Sequence, residues 1–220
     1  MDATVELSSC PPGKIRRFGD FNTSSPMTAA GAKLIFVVAV IASFAIRYPH
    51  QRRSRRIPVR TSSRDRPEKL LVWIAATGLS VVPLAYVATG FPRVAEYRFL
   101  PAFGWHGTLV FLVALWLFYR AHHDLGRNFS ARLKVREGHG LVSAGVYARV
   151  RHPMYAAFWM WALAQTLLLP NWLVGPAGLA GFGVLFFCRV GREERMMLET
   201  FGEDYRAYMI RTKRIVPWLY

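Results

Sequence analysis

The chain has 220 residues, of which 53 % are hydrophobic and 19 % are charged, and its formal net charge is +16. The hydrophobic residues come in long blocks, whereas a soluble domain interleaves them with polar residues, so the pattern argues against a soluble fold. The basic residues lie in loops between the blocks and lack the interleaved aromatic residues of single-strand binders, which argues against nucleic acid as a partner.

Residues 1–27 are rich in Ser, Pro, Gly and Thr and show no helical periodicity, which predicts a flexible N-terminal tail. A cleaved signal peptide is the rival interpretation, but its basic region would be unusually long and no clear cleavage site follows the first apolar block. Residues 28–220 are interpreted as a single membrane domain. The two cysteines, Cys10 and Cys188, suggest neither a disulfide framework nor a metal pair.

Five apolar blocks follow, and each predicts a helix that crosses the membrane. They cover residues 28–46, 70–91, 105–119, 154–169 and 173–188. A crossing needs roughly 20 apolar residues. The first two blocks supply them, and the last three are short and depend on flanking residues or a thin bilayer. The Pro-Asn-Trp sequence between the last two blocks predicts a tight hairpin. The predicted fold class is an all-α integral membrane bundle of five transmembrane helices, with a helical hairpin of helices four and five and a C-terminal cytoplasmic helical segment.

Basic residues in the loops predict the orientation. The loops after blocks one and three and the C-terminal segment are rich in arginine, and the other two connections carry few basic residues. The positive-inside rule then places the N-terminus outside and the arginine-rich loops and the C-terminus in the cytoplasm. Lys14, Arg16 and Arg17 in the tail favour the opposite orientation weakly.

An ordered series of motifs is concentrated on this predicted cytoplasmic face. It comprises Leu125-Gly126-Arg127-Asn128, His139-Gly140-Leu141-Val142, Gly145-Val146-Tyr147, Arg151-His152-Pro153-Met154-Tyr155, Arg189, Glu193-Glu194, Phe201-Gly202-Glu203-Asp204-Tyr205 and Ile215-Val216-Pro217. Over residues 124–217 the series resembles the isoprenylcysteine carboxyl methyltransferase family and its relatives, which include the phospholipid N-methyltransferases.

The resemblance implies that S-adenosyl-L-methionine binds at the cytoplasmic membrane boundary. The implied cofactor contacts are His139, Gly140, Leu141, Val142, Tyr147, His152, Pro153, Met154, Tyr155 and Glu193. Arg189 matches the family arginine that faces the substrate carboxylate, so the resemblance assigns Arg189 and Glu193 to catalysis. Animal members have a cofactor-contacting glutamine shortly before the His-x-Leu-Val element. That position falls near Arg132 in this sequence, so this cofactor contact is not assigned to any residue of the chain.

The chemistry is consistent with these residue types. A carboxylate acceptor is already ionised at neutral pH, so methyl transfer to it needs positioning and water exclusion rather than a general base. Arg189 and Glu193 are four residues apart and share a helix face, so one can meet an acceptor anion and the other the positive charge of the cofactor. The chain has no Gly-x-Gly-x-x-Gly after a strand, so it does not follow the soluble methyltransferase pattern.

Simpler interpretations stand beside these. Arg189 and Glu193 could form an ordinary intrahelical ion pair, and Pro153 could only begin a helix. The sequence His122-His123-Asp124 looks like a metal site, but adjacent histidines on a helix point about 100° apart, so we expect no metal. Glycines at 175, 178, 181 and 183 predict close helix packing rather than a phosphate site.

The predicted function is methyl transfer from S-adenosyl-L-methionine to a lipid-like acceptor in the membrane, with the carboxylate of a prenylated cysteine as first choice. N-methylation of a phospholipid or aminolipid is the alternative, although the cationic Arg189 is a poor neighbour for an amine. An NADPH-dependent membrane reductase of similar C-terminal fold and a non-enzymatic membrane scaffold remain open at this point.

Overall fold

The structure is a computed structural model that describes residues 27–54, 66–126 and 141–217. The predicted tail up to residue 26, parts of the arginine-rich loops at 55–65 and 127–140, and the last three residues lie outside the described residues. So do Cys10, Arg132 and two of the predicted cofactor contacts, His139 and Gly140.

The described residues form six α-helices. They are α1 (Ala29–Ser54), α2 (Arg66–Ala76), α3 (Val82–Thr89), α4 (Pro101–Leu125), α5 (Pro153–Leu168) and α6 (Val174–Arg211). A π-helical turn over Thr77–Val81 joins α2 and α3 into one continuous rod, which leaves five rods. Within the described ranges there are two isolated β-bridges and no named strand, so the all-α prediction is confirmed.

Among the rods of the described ranges, four are long and apolar enough to cross a membrane, and the chain is an integral membrane protein. These are Ala29–Arg52, Pro67–Thr89, Pro101–Leu125 and Val174–Arg211. The helix α5 has 16 residues, which is about 24 Å of helix against a hydrocarbon core of about 30 Å. For the third and fifth blocks the flanking residues supply the missing length, because α4 and α6 continue into polar residues beyond the apolar blocks.

The rods alternate in direction and define two ends of the bundle. We call the motif pole the end formed by the C-terminal ends of α1 and α4, the N-terminal ends of α2 and α5, and the second half of α6. The hairpin pole is the opposite end, where α5 turns back into α6. The members of the motif series that the structure describes lie at the motif pole.

The predicted tight hairpin is present at the hairpin pole. The side-chain oxygen of Asn171 accepts the backbone N–H groups of Leu173 and Val174, each at 3.0 Å, and so begins α6. The Asn171 amide donates to a carbonyl of the α3–α4 connection at 2.8 Å. The hairpin tip is therefore fixed to the neighbouring loop.

Close packing of α2 and its π-helical turn on α6 depends on glycine. A Cβ built on Gly78 would lie 2.3 Å from the carbonyl oxygen of Ala177, and one on Gly181 would lie 2.8 Å from that of Ile74. The buried amide of Gln165 donates to the carbonyl of Gly78 at 3.1 Å, in the π-helical turn. Small residues and a satisfied backbone are what hydrocarbon demands of such a contact.

Candidate functional site

The Arg-His-Pro segment lies beside the chain that follows α6. The backbone N–H of Arg151 donates to the carbonyl of Lys213 at 2.7 Å, and that of His152 donates to the carbonyl of Arg214 at 2.8 Å. Pro153 is the first residue of α5, where a missing N–H group costs no hydrogen bond. Two backbone hydrogen bonds therefore hold the N-terminal end of α5 against the C-terminal segment.

The carboxylate of Glu194 is the centre of a buried ionic cluster at this junction. Its oxygens lie 3.2 Å from Arg151 Nε, 3.4 Å from His152 Nε2 and 2.7 Å from Arg214 Nη2. The Arg151 guanidinium also donates to backbone carbonyls at the C-terminal end of α6. Glu194 thus links α6, the start of α5 and the C-terminal segment, and it lies against the ring nitrogen of a predicted cofactor contact.

Arg189 lies one turn earlier on α6 and is only 8 % exposed. Its Nη2 is 3.7 Å from Glu68 Oε1, and its Nε is 3.7 Å from Glu193 Oε2. Both distances exceed hydrogen-bond length, and Arg189 Nε has no hydrogen-bond partner in the described parts of the chain. The guanidinium is therefore buried between two carboxylates that lie beyond hydrogen-bond distance, and it retains donor capacity for an anion.

Glu193 is bound from the opposite side by α5. The Tyr155 hydroxyl donates to Glu193 Oε2 at 2.5 Å, and the His152 ring stacks on the Tyr155 ring with centroids 5.3 Å apart and an interplanar angle of 20°. The Glu193 side chain keeps 28 % of its surface exposed, against 10 % for that of Arg189. The carboxylate is therefore fixed in direction but accessible.

The loop before α5 places Tyr147 near the Glu193 carboxylate. Asp124 Oδ2 accepts the backbone N–H of Val146 at 2.9 Å. Gly145 has φ 63°, and a Cβ there would lie 2.1 Å from the same oxygen, so only glycine fits. Burial raises the pKa of the Tyr147 phenol, and the negative charge of Glu193 raises it further. Tyr147 is thus a neutral hydrogen-bond donor at physiological pH.

The helices α1 and α4 complete the motif pole. The ring of His50 meets that of His122 with centroids 5.3 Å apart, and His122 is fully buried with Nδ1 2.8 Å from the Phe118 carbonyl. Arg47, one turn before His50, interacts electrostatically with both Arg189 and His122. Polar side chains of α1 and α4 therefore meet at this pole, and Glu68 of α2 lies beside Arg189 of α6.

The histidine pair of α4 divides between interior and surface. His122 points into the pole, whereas His123 is exposed and has Nδ1 3.2 Å from Asp124 Oδ1. In the ranges the structure describes, no group of three or more His, Cys, Asp or Glu side chains could hold a metal ion.

The structure brings a core of the predicted site residues together. His152 stacks on Tyr155, the Tyr155 hydroxyl donates to Glu193, and Glu193 lies 3.7 Å from Arg189. Tyr147 interacts electrostatically with Glu193. The other described contacts lie in the same loop and helix start, with Pro153 buried and Leu141, Val142 and Met154 partly buried.

Two residues at this pole are absent from the predicted site. Glu68 and Arg47 lie at the polar ends of the first two membrane rods, and Arg47 directly follows the first apolar block, where it belongs to the arginine-rich connection. The available signal for Arg47 was its spacing, since it continues the register of Phe36, Val40 and Ser43, which are buried on α1.

Comparison with known proteins agrees with the motif series. The sequence model of the isoprenylcysteine carboxyl methyltransferase family matches residues 107–199. Protein-S-isoprenylcysteine O-methyltransferase B of Arabidopsis thaliana is 31 % identical over 152 residues, which are 66 % of this chain and 74 % of that protein. The protein-S-isoprenylcysteine O-methyltransferase of Schizosaccharomyces pombe is 33 % identical over 94 residues, 42 % of this chain and 40 % of that protein.

Two further matches cover about half of the matched protein, or less. The Saccharomyces cerevisiae protein-S-isoprenylcysteine O-methyltransferase is 33 % identical over 101 residues, and the chain spans 42 % of its length. A solved structure of a eukaryotic intramembrane Ras methyltransferase aligns with a TM-score of 0.47 and 23 % identity over 72 % of this chain and 55 % of that one. The match to the Arabidopsis relative is at 31 % identity and covers 74 % of that protein. The sequence matches therefore show that the chain belongs to the isoprenylcysteine carboxyl methyltransferase family.

Proposed function

We propose that the chain transfers a methyl group from S-adenosyl-L-methionine to the carboxylate of a lipid-like acceptor, with an S-isoprenylated cysteine as first choice, and so forms a methyl ester. One observation carries the proposal beyond family membership. Arg189 is a buried guanidinium whose Nε has no hydrogen-bond partner in the described residues, and a carboxylate is the anion that such a planar fork binds best.

The residues at the motif pole fit the proposed cofactor. Glu193 offers an accessible carboxylate that the Tyr155 hydroxyl fixes in direction, and a sulfonium or ammonium group is its natural counter-charge. The stacked rings of His152 and Tyr155 present flat faces beside it, which suit a cation or an adenine ring. Leu141, Val142, Tyr147, Pro153 and Met154 would complete the pocket, together with His139 and Gly140 from the undescribed part of the loop.

The reaction asks for positioning rather than proton transfer. When bound, S-adenosyl-L-methionine supplies an electrophilic methyl group: an acceptor carboxylate oxygen forms the new C–O bond as the C–S bond breaks and S-adenosylhomocysteine leaves. No proton moves, so Arg189 would orient the carboxylate and Glu193 would orient the donor. Opposite charges cancel along this path, so a buried site that excludes water favours it.

The alternatives fit these residues less well. An amine acceptor would bring a further positive charge next to Arg189, with Arg47 nearby. A reductase would need a hydride acceptor and a place for an additional phosphate, and the family matches give no support to either.

Binding to the full chain purified in detergent tests the proposal first. We expect S-adenosyl-L-methionine and S-adenosylhomocysteine to bind by isothermal titration calorimetry and NADPH not to bind. With an S-farnesylated, N-acetylated cysteine as acceptor, we expect a labelled methyl group that base releases as methanol, as an ester does and an N-methyl group does not. Failure of both methionine-derived ligands to bind would refute the proposal, and a base-stable product would replace it with N-methylation.

A matched pair of arginine variants tests the role of Arg189. Arg189→Gln removes the buried charge, whereas Arg192→Gln removes an arginine on the same helix whose Nε donates to the Cys188 carbonyl at 3.0 Å. We expect Arg189→Gln to retain cofactor binding and lose methyl transfer, and Arg192→Gln to keep both. Loss of cofactor binding in Arg189→Gln would show that the arginine serves the cofactor instead.

We further propose that the motif pole faces the cytoplasm, with the N-terminus on the opposite side. The arginine-rich connections of the sequence are those at the motif pole, in keeping with the positive-inside rule. A reporter that is active only in the cytoplasm, fused after residue 220, should be active, and the same reporter fused before residue 1 should be silent. The reverse pattern would overturn the orientation.

A further inference from the structure

Glu68 is a buried carboxylate of α2, in the part of the chain before the segment that the family model matches. It is 5 % exposed and belongs to the first turn of α2, where the free N–H groups of a helix favour a negative charge. Its Oε1 lies 3.7 Å from Nη2 of Arg189, which is 8 % exposed on α6. A buried carboxylate and a buried arginine from two different rods are therefore neighbours at the motif pole.

Glycine contacts fix the register that brings these two side chains together. The rod that begins with α2 runs antiparallel to α6, and a Cβ on Gly78 would lie 2.3 Å from the carbonyl oxygen of Ala177. One turn closer to the motif pole, a Cβ on Gly181 would lie 2.8 Å from the carbonyl oxygen of Ile74. The carboxylate and the arginine follow further along the same register. Helices packed this closely cannot slide freely, so their approach is part of the helix packing.

Arg189 lies between two carboxylates that differ in their surroundings. Glu193 Oε2 is 3.7 Å from Arg189 Nε, accepts the Tyr155 hydroxyl, and belongs to a side chain that is 28 % exposed. The Glu68 side chain is 6 % exposed. The accessible carboxylate can meet the cation of a bound ligand, whereas the buried one stays beside the arginine. Glu68 can therefore balance the buried charge of Arg189 when Glu193 is engaged elsewhere.

We propose that Glu68 is a positioning residue, which holds the Arg189 guanidinium away from Glu193. Glu193 then remains available to the cofactor, and Arg189 remains available to the acceptor carboxylate. This inference rests on the proposed function. Without Glu68, Arg189 would close on Glu193, one turn away on the same helix, and form an intrahelical ion pair. That pair would occupy both groups that the two substrates need.

A double-mutant cycle separates this role from a structural one. In Glu68→Gln we expect the Kd of S-adenosyl-L-methionine, measured by calorimetry, to rise about tenfold, a usual coupling for residues in one ionic network. The KM of N-acetyl-S-farnesylcysteine should rise as well. In the Arg189→Gln background no guanidinium can close on Glu193, so adding Glu68→Gln should change the Kd by less than about twofold. A structural role would weaken cofactor binding in both backgrounds.

Two variants complete the design. Glu199→Gln is the matched control, since it makes the same chemical change at an exposed position of α6, and it should leave the Kd and the KM unchanged. Glu68→Asp keeps the charge but withdraws it by one methylene group, so it should raise the Kd less than Glu68→Gln does. If Glu68→Gln does not fold, Glu68→Asp takes its place in the cycle, and its rise should again disappear in the Arg189→Gln background.

Equal rises in both backgrounds, or no rise in either, overturn the inference. Loss of cofactor binding in Arg189→Gln alone overturns it too, because Arg189 would then support the cofactor rather than compete with it for Glu193. Failure of the proposed function is distinguishable, since it concerns the wild-type protein. A wild-type protein that binds no S-adenosyl-L-methionine, or binds it and forms no methyl ester, refutes the proposed function, and this inference fails with it.

Discussion

Replacing Glu194 by Gln tests whether the ionic cluster at the start of α5 holds the motif pole together. The side chain of Glu194 is 6 % exposed and that of Arg151 is 9 % exposed, whereas that of Arg214 is 34 % exposed. Removing one partner of a buried ion pair typically costs about 3–5 kcal/mol, because the other charge is left without compensation. Gln keeps one acceptor oxygen and Arg214 is partly solvated, so we expect a loss of about 3 kcal/mol, at the lower end of that range.

The assay is reversible unfolding of detergent-solubilised protein with increasing SDS, followed by tryptophan fluorescence. Glu203→Gln is the control, since it breaks the exposed pair with Arg206, whose side chains are 84 % and 68 % exposed. Such a pair contributes little, so the control should unfold at the same SDS fraction as the wild type. Because Glu194 also contacts His152, the Glu194→Gln protein that remains folded should bind S-adenosyl-L-methionine more weakly. If Glu194→Gln unfolds at the same SDS fraction as Glu203→Gln, the cluster does not stabilise the motif pole and the reasoning is wrong.

Two further variants test the helix packing and the cofactor side of the site. Gly78→Ala places a methyl group 2.3 Å from a backbone oxygen of α6, so we expect the free energy of unfolding to fall by about 1–3 kcal/mol in the same assay. The control Gly191→Ala meets nothing within 4 Å and should be neutral or stabilising, so equal effects of the two variants would contradict the packing. Tyr155→Phe removes the donor to Glu193 and should weaken S-adenosyl-L-methionine binding about tenfold by calorimetry. Tyr119→Phe, at an exposed position, is the control. Unchanged binding in Tyr155→Phe would show that this hydrogen bond does not orient the Glu193 carboxylate.

Features that depend on neighbours along the chain were predictable from the sequence. The apolar blocks gave the rods, and the Pro-Asn tip gave the hairpin, because an asparagine side chain can bond its own following N–H groups, as Asn171 does. Arg189 and Glu193 are one helical turn apart, so their pairing on one face followed from spacing alone.

Contacts between distant helices were not predictable in the same way. Hydropathy shows where a helix is apolar and gives no information on where it ends. After the predicted fifth block α6 continues to a kink at Gly202, which has φ 55°, and from there to Arg211. The approach of Glu68 to Arg189 depends on how α2 packs on α6, which the close contact at Gly78 decides. A single sequence contains no pattern that relates these positions, although each lies at a recognisable helix end or in an apolar block.

The division of the site between the two halves of the chain has a consequence for the choice of acceptor. The family model matches residues 107–199, which carry the proposed cofactor residues on α5 and α6 and the loop before them. Glu68, which lies 3.7 Å from Arg189 on the other side, comes from α2, before that segment. The requirements for a methyl donor are constant, whereas an acceptor differs in head charge and tail, so changes in the first two rods can alter the acceptor while the donor site is kept.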